Sequence, residues 1–245
     1  MNATSAAVKK DSWVERLDAE LTELANAQFS TPEFELLFNT PLTMKRAQHI
    51  AIQMVFYNVN RREGWAFVQA KAPWDVKRLI WEHEKDELFH DPRGGTDHRA
   101  LMSKEAVALG VSEADLAKAT PSPLITATLM AFNNASSSLP WLGAMTFAHF
   151  LERRNNGRIV RGGGFSSRFR DKMVRELKID SKLLISSNVH VEADMDHSDS
   201  IWDTIAAHVK DEYSYNIALE GAQICAVLDR AFRVALAHEM LQIDK

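Results

Sequence analysis

Between residues 181 and 210 the chain carries His190, Asp194 and His197, an H-x3-D-x2-H pattern in a polar run. Spacings of four and three residues put all three side chains on one face of an α-helix. Two imidazoles and a carboxylate from consecutive turns are typical ligands of a borderline transition metal. A helix with a polar inner face gains little from packing alone. The pattern therefore demands that other elements bring matching groups to it.

The rest of the chain predicts helices to do so. Ten Gly and seven Pro in 245 residues are few, and apolar residues recur three and four apart throughout. The punctuation predicts a helix from Asp11 or Ser12 to about Gln28, a short one from Pro32, and a long one from Pro41 to about Ala70. The next opens at Pro73 and reaches as far as His90, stopped by Asp91-Pro92-Arg93-Gly94-Gly95. Asp97 caps a helix from His98 to Leu109, and Ser112 a short one. Residues 124–134 and 140–154 form two helices or one bent helix. After a Gly-rich loop over 155–167, helices follow from Ser166 to Leu177, from a Ser181 cap to Lys210, and from Asp211 to Leu241. This is an all-α chain.

Charge and composition narrow the function class. A net charge of −4 gives no reason to expect nucleic acid, and no apolar run approaches the length of a membrane span. With Cys225 alone, neither an intrachain disulfide nor a thiolate cluster can form, which suits a cytoplasmic protein. Two carboxylates stand out as partners for the triad. Glu87 sits at a helix end in the acidic run 81–91, whose other members read as a solvated face. Glu152 ends the apolar run Trp141 to Leu151, where a buried carboxylate needs a counter-charge or a metal. The single E-x-x-H, Glu87 with His90, excludes a ferritin-like di-iron bundle, which needs two copies.

Together these residues resemble the heme-oxygenase-like di-iron oxidases and oxygenases, of the superfamily that includes thiaminase II and pyrroloquinoline-quinone synthase. Members look like Glu, a short gap, His, a distant Glu, then H-x3-D-x2-H. Here those are Glu87, His98, Glu152, His190, Asp194 and His197, spread over most of the chain. The resemblance implies one domain over residues 1–245, a heme-oxygenase-like bundle of about seven to ten helices, with residues 1–10 a loose tail. It implies two Fe(II) per chain, one nearer Glu87, His98 and His197, the other nearer Glu152, His190 and Asp194. O2 is the implied co-substrate, with an external reductant or electron-donor protein, and the implied assembly is a homodimer. His90 is an alternative to His98, and Glu63 an additional carboxylate. Arg153 and Arg154 after Glu152 depart from the family pattern.

The implied activity is N-oxygenation of an amine on a small nitrogen-containing metabolite. The alternatives are desaturation or C–C cleavage of an amino or fatty acid, a metal-free thiaminase-like or quinone-synthase-like enzyme, and a helical interaction protein with a structural metal. Candidate substrate contacts are Asn133, His149 and Arg153, with His149 also suited to a satisfied interior position. His208, eleven residues past His197 and so about 16 Å away along a helix, belongs to no shared site. The arginines around the Gly-rich loop suit either a lid or a solvated surface. Cys225 lies on an apolar stripe and reads as core.

Overall fold

The computed structural model describes residues 10–244. The expected tail over residues 1–10 lies outside them apart from Lys10, which begins the first helix. Eleven α-helices follow in order among the described residues. They are α1 Lys10–Ala27, α2 Pro32–Asn39, α3 Met44–Lys71, α4 Trp74–Leu88, α5 His98–Ala108 and α6 Glu113–Lys118, then α7 Pro123–Ser138, α8 Trp141–Arg153, α9 Phe165–Leu177, α10 Ile185–His208 and α11 Glu212–Gln242. The count is one above the expected range because residues 124–134 and 140–154 belong to two helices, α7 and α8, and not to one bent helix. Among the described residues the one β-like pairing is an isolated bridge between Asp91 and Thr96.

Local chemistry sets most helix starts where the sequence puts them. The Asp97 carboxylate accepts from the Ala100 N–H at 2.9 Å and starts α5. Ser112 accepts from Asp115 N–H at 3.0 Å and starts α6. Asp211 and Ser214 form a reciprocal capping box at the start of α11. Three starts differ. α1 already includes Asp11 and Ser12. Thr43, not Pro41, caps α3. Ser181 does not cap α10: Asp180 caps a single 3-10 turn over Ser181–Leu183, and α10 begins at Ile185 without a side-chain cap.

α8 is the central element, with every residue from Leu142 to Arg153 buried. Its apolar run makes that burial favourable, at about 1.5–3 kcal/mol for each large side chain. α11 crosses it with the two backbones nearly touching. A Cβ built on Gly221 would lie 2.0 Å from the Gly143 carbonyl oxygen. One apolar cluster joins α1 to α4 and α7 to α11 around this crossing. A small separate cluster packs Leu101 of α5 against Val189 and Ala193 of α10. These contacts turn the inner faces of α4, α5, α8 and α10 towards one another. No helix among the described residues is long and apolar enough to cross a membrane.

Candidate metal centre

Four helices deliver the six expected ligands. Ile80, His83, Glu84 and Glu87 share the buried face of α4, and His98 is the first residue of α5. Glu152 comes from the last turn of α8, and His190, Asp194 and His197 from successive turns of α10. All six are buried.

Each of the six also has a buried polar atom without a hydrogen-bond partner: both oxygens of Glu87, His98 Nδ1, Glu152 Oε2, His190 Nε2, Asp194 Oδ1 and His197 Nδ1. Among these atoms Glu87 Oε2 is ion-paired with His98 Nδ1 at 3.0 Å and with Arg62 Nη1 at 3.2 Å, and Glu87 Oε1 lies 3.7 Å from His197 Nδ1, so Glu152 Oε2, His190 Nε2 and Asp194 Oδ1 are the three with neither kind of partner. Leaving such groups unpaired in a protein interior is costly. The other polar atom of five of them is held by a neighbour. His98 Nε2 pairs with Asp91 Oδ2 at 2.8 Å, His190 Nδ1 with the Ser186 carbonyl at 2.8 Å, and His197 Nε2 with Asp86 Oδ2 at 3.3 Å. Asn155 Nδ2 donates to Asp194 Oδ2 at 2.7 Å, and Arg61 Nη2 to Glu152 Oε1 at 2.8 Å. Partners of this kind fix the ring or carboxylate while its other atom stays available. The imidazoles are close, with ring centroids 4.6 Å apart for His98 and His190 and 6.2 Å for His98 and His197.

His83 joins the same cluster. Ligand atoms of His83, Glu87, Glu152 and His197 lie within 4.8 Å of one another. Both of its ring nitrogens are engaged, however, Nδ1 with Glu84 Oε1 at 2.9 Å and Nε2 with Glu152 Oε1 at 3.0 Å. Two arginines enter from α3. Besides the Arg61 bond to Glu152, Arg62 Nη1 donates to Glu84 Oε1 at 2.6 Å and lies 3.2 Å from Glu87 Oε2.

Burial and these charges together set the protonation states. Burial opposes ionisation of Glu152, yet the charges of His83 and Arg61 hold its carboxyl down at about 2. Burial likewise opposes a charged His83, but Glu152 raises it to about 9. His98 is raised to about 9 against burial by Glu87 and Asp91. Burial, then the charge of His98, lowers His190, and burial raises Asp194. The site thus combines three carboxylates with imidazoles of differing basicity, a donor set that could hold a transition-metal ion.

The remaining candidates lie elsewhere. His90 and Glu63 are exposed and lie outside the cluster, whereas His98 is buried within it. Arg153 turns away to α1, where it reaches the Asp18 carboxylate and Thr22 Oγ1 and covers the Trp202 ring. His149 sits one turn before Glu152 but donates from Nε2 to the Ser198 carbonyl at 3.0 Å. Asn133 accepts from Asn60 Nδ2 at 2.8 Å beside a small cavity behind α3. The loop arginines are ion-paired: Arg154 with Asp229 at 2.7 Å, Arg158 with Asp196 and Asp199, and Arg161 with Glu23.

A larger cavity borders the cluster at Arg61, Asn155 and His190, with about 880 Å³ of free space including its open mouth. Along α3 its wall is Ala47, Ile50, Ala51, Met54, Tyr57, Asn58 and Arg61, a face spaced three and four apart. That face spans about 21 Å at 1.5 Å per residue. Its far end is apolar, with Leu37, Leu109, Phe169 and Leu236. Near the cluster it is rich in donors: Tyr57 Oη and Asn58 Nδ2 lack partners, and Arg154 and Arg233 share Asp229. Cys225 is buried with its thiol pushed up by burial and does not line this cavity.

Sequence reasoning missed His83, Arg61 and Arg62. For His83 a signal existed, because Ile80, His83, Glu84 and Glu87 follow helical spacing and the first is apolar. For the arginines none did, because a pair of charges on a long helix ordinarily marks its solvated side.

No protein-family model and no curated protein sequence matches the chain. Solved structures do. A domain of unknown function with a heme oxygenase-like fold from Shewanella denitrificans aligns over 94% of this chain and 95% of its own, with TM-score 0.73 and 10% identity. A CADD-like protein of unknown function from Nostoc punctiforme covers 94% and 99%, with TM-score 0.66 and 14% identity. A putative TenA-like thiaminase from Sulfolobus solfataricus covers 94% and 95%, with TM-score 0.58 and 13% identity. The chain has the heme-oxygenase-like fold, and at these identities the similarity is one of fold alone.

Proposed function

We propose that this chain is a non-haem di-iron, O2-dependent oxidase or oxygenase of a small organic molecule, with Glu87, His98, Glu152, His190, Asp194 and His197 as its metal ligands. The observation that carries this reading is the convergence of these six buried side chains from four helices, with Glu152 Oε2, His190 Nε2 and Asp194 Oδ1 left without a hydrogen-bond or ion-pair partner. Iron bound there would supply O2 activation. The protein's own part is positional. Asp91, Ser186, Asp86 and Asn155 orient the donor groups, and the cavity beside them has room for an organic substrate.

Within this class, N-oxygenation of an amine is supported by Glu105. It is the one carboxylate on the cavity wall, fixed by Ser187 through its N–H and Oγ at 2.8 Å each. A second reading, carbon oxidation of an acid by desaturation or C–C cleavage, is supported by Tyr57, Asn58, Arg154 and Arg233. These donors suit a carboxylate and oppose an ammonium ion. An external reductant is part of both readings.

Metal analysis of protein loaded with Fe(II) tests the class. Roughly two irons per chain, lost in His190→Ala, with O2 uptake dependent on iron, is the expected result. Tight zinc without O2 uptake after iron loading would overturn it. Mass shifts of candidate amines and acids then separate the two readings.

A further inference from the structure

Arg61 and Arg62 are adjacent on α3, yet they reach carboxylates on two different helices. Arg61 Nη2 lies 2.8 Å from Glu152 Oε1 on α8, and Arg62 Nη1 lies 3.2 Å from Glu87 Oε2 on α4. The two arginine side chains are only 8% and 10% exposed, and both carboxylates are fully buried. Consecutive helical residues point about 100° apart, so this fork follows directly from their adjacency. A guanidinium does not lose its proton in a protein, so both positive charges are permanent.

We propose that Arg61 and Arg62 are built-in rivals of the metal: fixed cations that neutralise Glu152 and Glu87 and set how tightly a divalent ion is held. This rests on the reading of those two glutamates as ligands. A divalent ion on Glu152 Oε2 or on Glu87 meets a positive charge on the same carboxylate, where burial leaves little water to screen it. Each arginine also has another place to interact. Arg62 keeps its 2.6 Å bond to Glu84, which is not among the six ligands. Arg61 borders both the large cavity and the small one behind α3, so free space adjoins this residue on two sides. The arginines thus join α3 to α4 and α8 before any ion arrives, at the expense of metal affinity.

Cobalt(II) titration of the full chain against a competing chelator, followed by absorbance, tests this alongside melting of the metal-free protein. Arg61→Gln and Arg62→Gln are each expected to bind Co(II) about tenfold tighter or more and to melt lower without metal. Arg61→Lys keeps the charge and is expected to stay within about threefold of the natural chain. If either glutamine variant fails to fold, the other is decisive. Glutamine variants that bind no tighter would overturn the proposal. So would Arg61→Lys binding as tightly as Arg61→Gln, because the contact rather than the charge would then be responsible. If the natural chain and every variant bind no divalent ion, the ligand reading itself falls, and this inference with it.

Discussion

Asp91 holds His98 across seven residues, its Oδ2 2.8 Å from His98 Nε2, with both side chains wholly buried. The turn that ends α4 therefore aims the first residue of α5. Asp91 also accepts from the Arg93 N–H at 2.8 Å, so its own carboxylate is fixed. Asp91→Asn is expected to weaken iron binding about 10–100-fold while the fold persists. Metal titration with circular dichroism checks this; unchanged affinity would remove Asp91 from the support of the site.

His83 and His190 make opposite expectations. Both nitrogens of His83 are engaged with carboxylates, whereas His190 Nε2 has no partner. His83→Gln is expected to retain most of its iron, and His190→Ala to lose at least one ion per chain, as measured by elemental analysis. The reverse order would move His83 into the ligand set in place of His190.

His149 links stability to pH. Burial, reinforced by the charge of Arg153, lowers its pKa from 6.5 to about 4. The folded chain therefore holds it neutral where the unfolded chain would protonate it. Its contribution is fully present above pH 6.5 and is lost as pH falls through 4, by roughly 3 kcal/mol in all. Denaturant melts of His149→Gln and the natural chain between those limits should show a shallower pH dependence in the variant. Equal slopes would place the titration elsewhere.

At the crossing of α8 and α11, Gly221→Ala would drive a methyl group to 2.0 Å from the Gly143 oxygen. Because the obstacle is backbone, the helices must separate. A loss of roughly 3 kcal/mol or more is expected in urea melts. A loss below about 1 kcal/mol would mean that the crossing yields easily.

Hydrogen exchange offers a further check on α10. Three of the six proposed ligands lie within two turns of it, so metal binding should slow exchange across residues 187–199 more than in α7, which supplies none. Equal protection with and without Fe(II) would argue against ligation from α10.

Much of this was legible in the sequence, for identifiable reasons. Helix periodicity, Asp97, Ser112 and Asp211 mark elements by local chemistry, so they read correctly without tertiary information. The triad on α10 was readable because its spacing and its helix are one property. The long-range partners were not. Glu84 and Glu82 are near neighbours in one acidic run, yet the first is buried against Arg62 and the second is exposed beside Lys85. Only the rotation of α4 against α3 separates them. Arg153 and Arg154 show the same limit: adjacent, both buried, one bonded to α1 and the other to Asp229 of α11.

The Gly143–Gly221 crossing also bears on the order of assembly. Every proposed ligand lies between residues 87 and 197, so all six exist in the chain before α11 begins at Glu212. But α8, which presents Glu152, takes its seat against α11, and the contact point is nine residues into that last helix. A chain shortened ahead of Gly221 would carry the complete set of donors and lack the surface that registers one of them. During synthesis the centre would therefore reach its final geometry only when the last helix docks, although no residue of that helix is among its ligands.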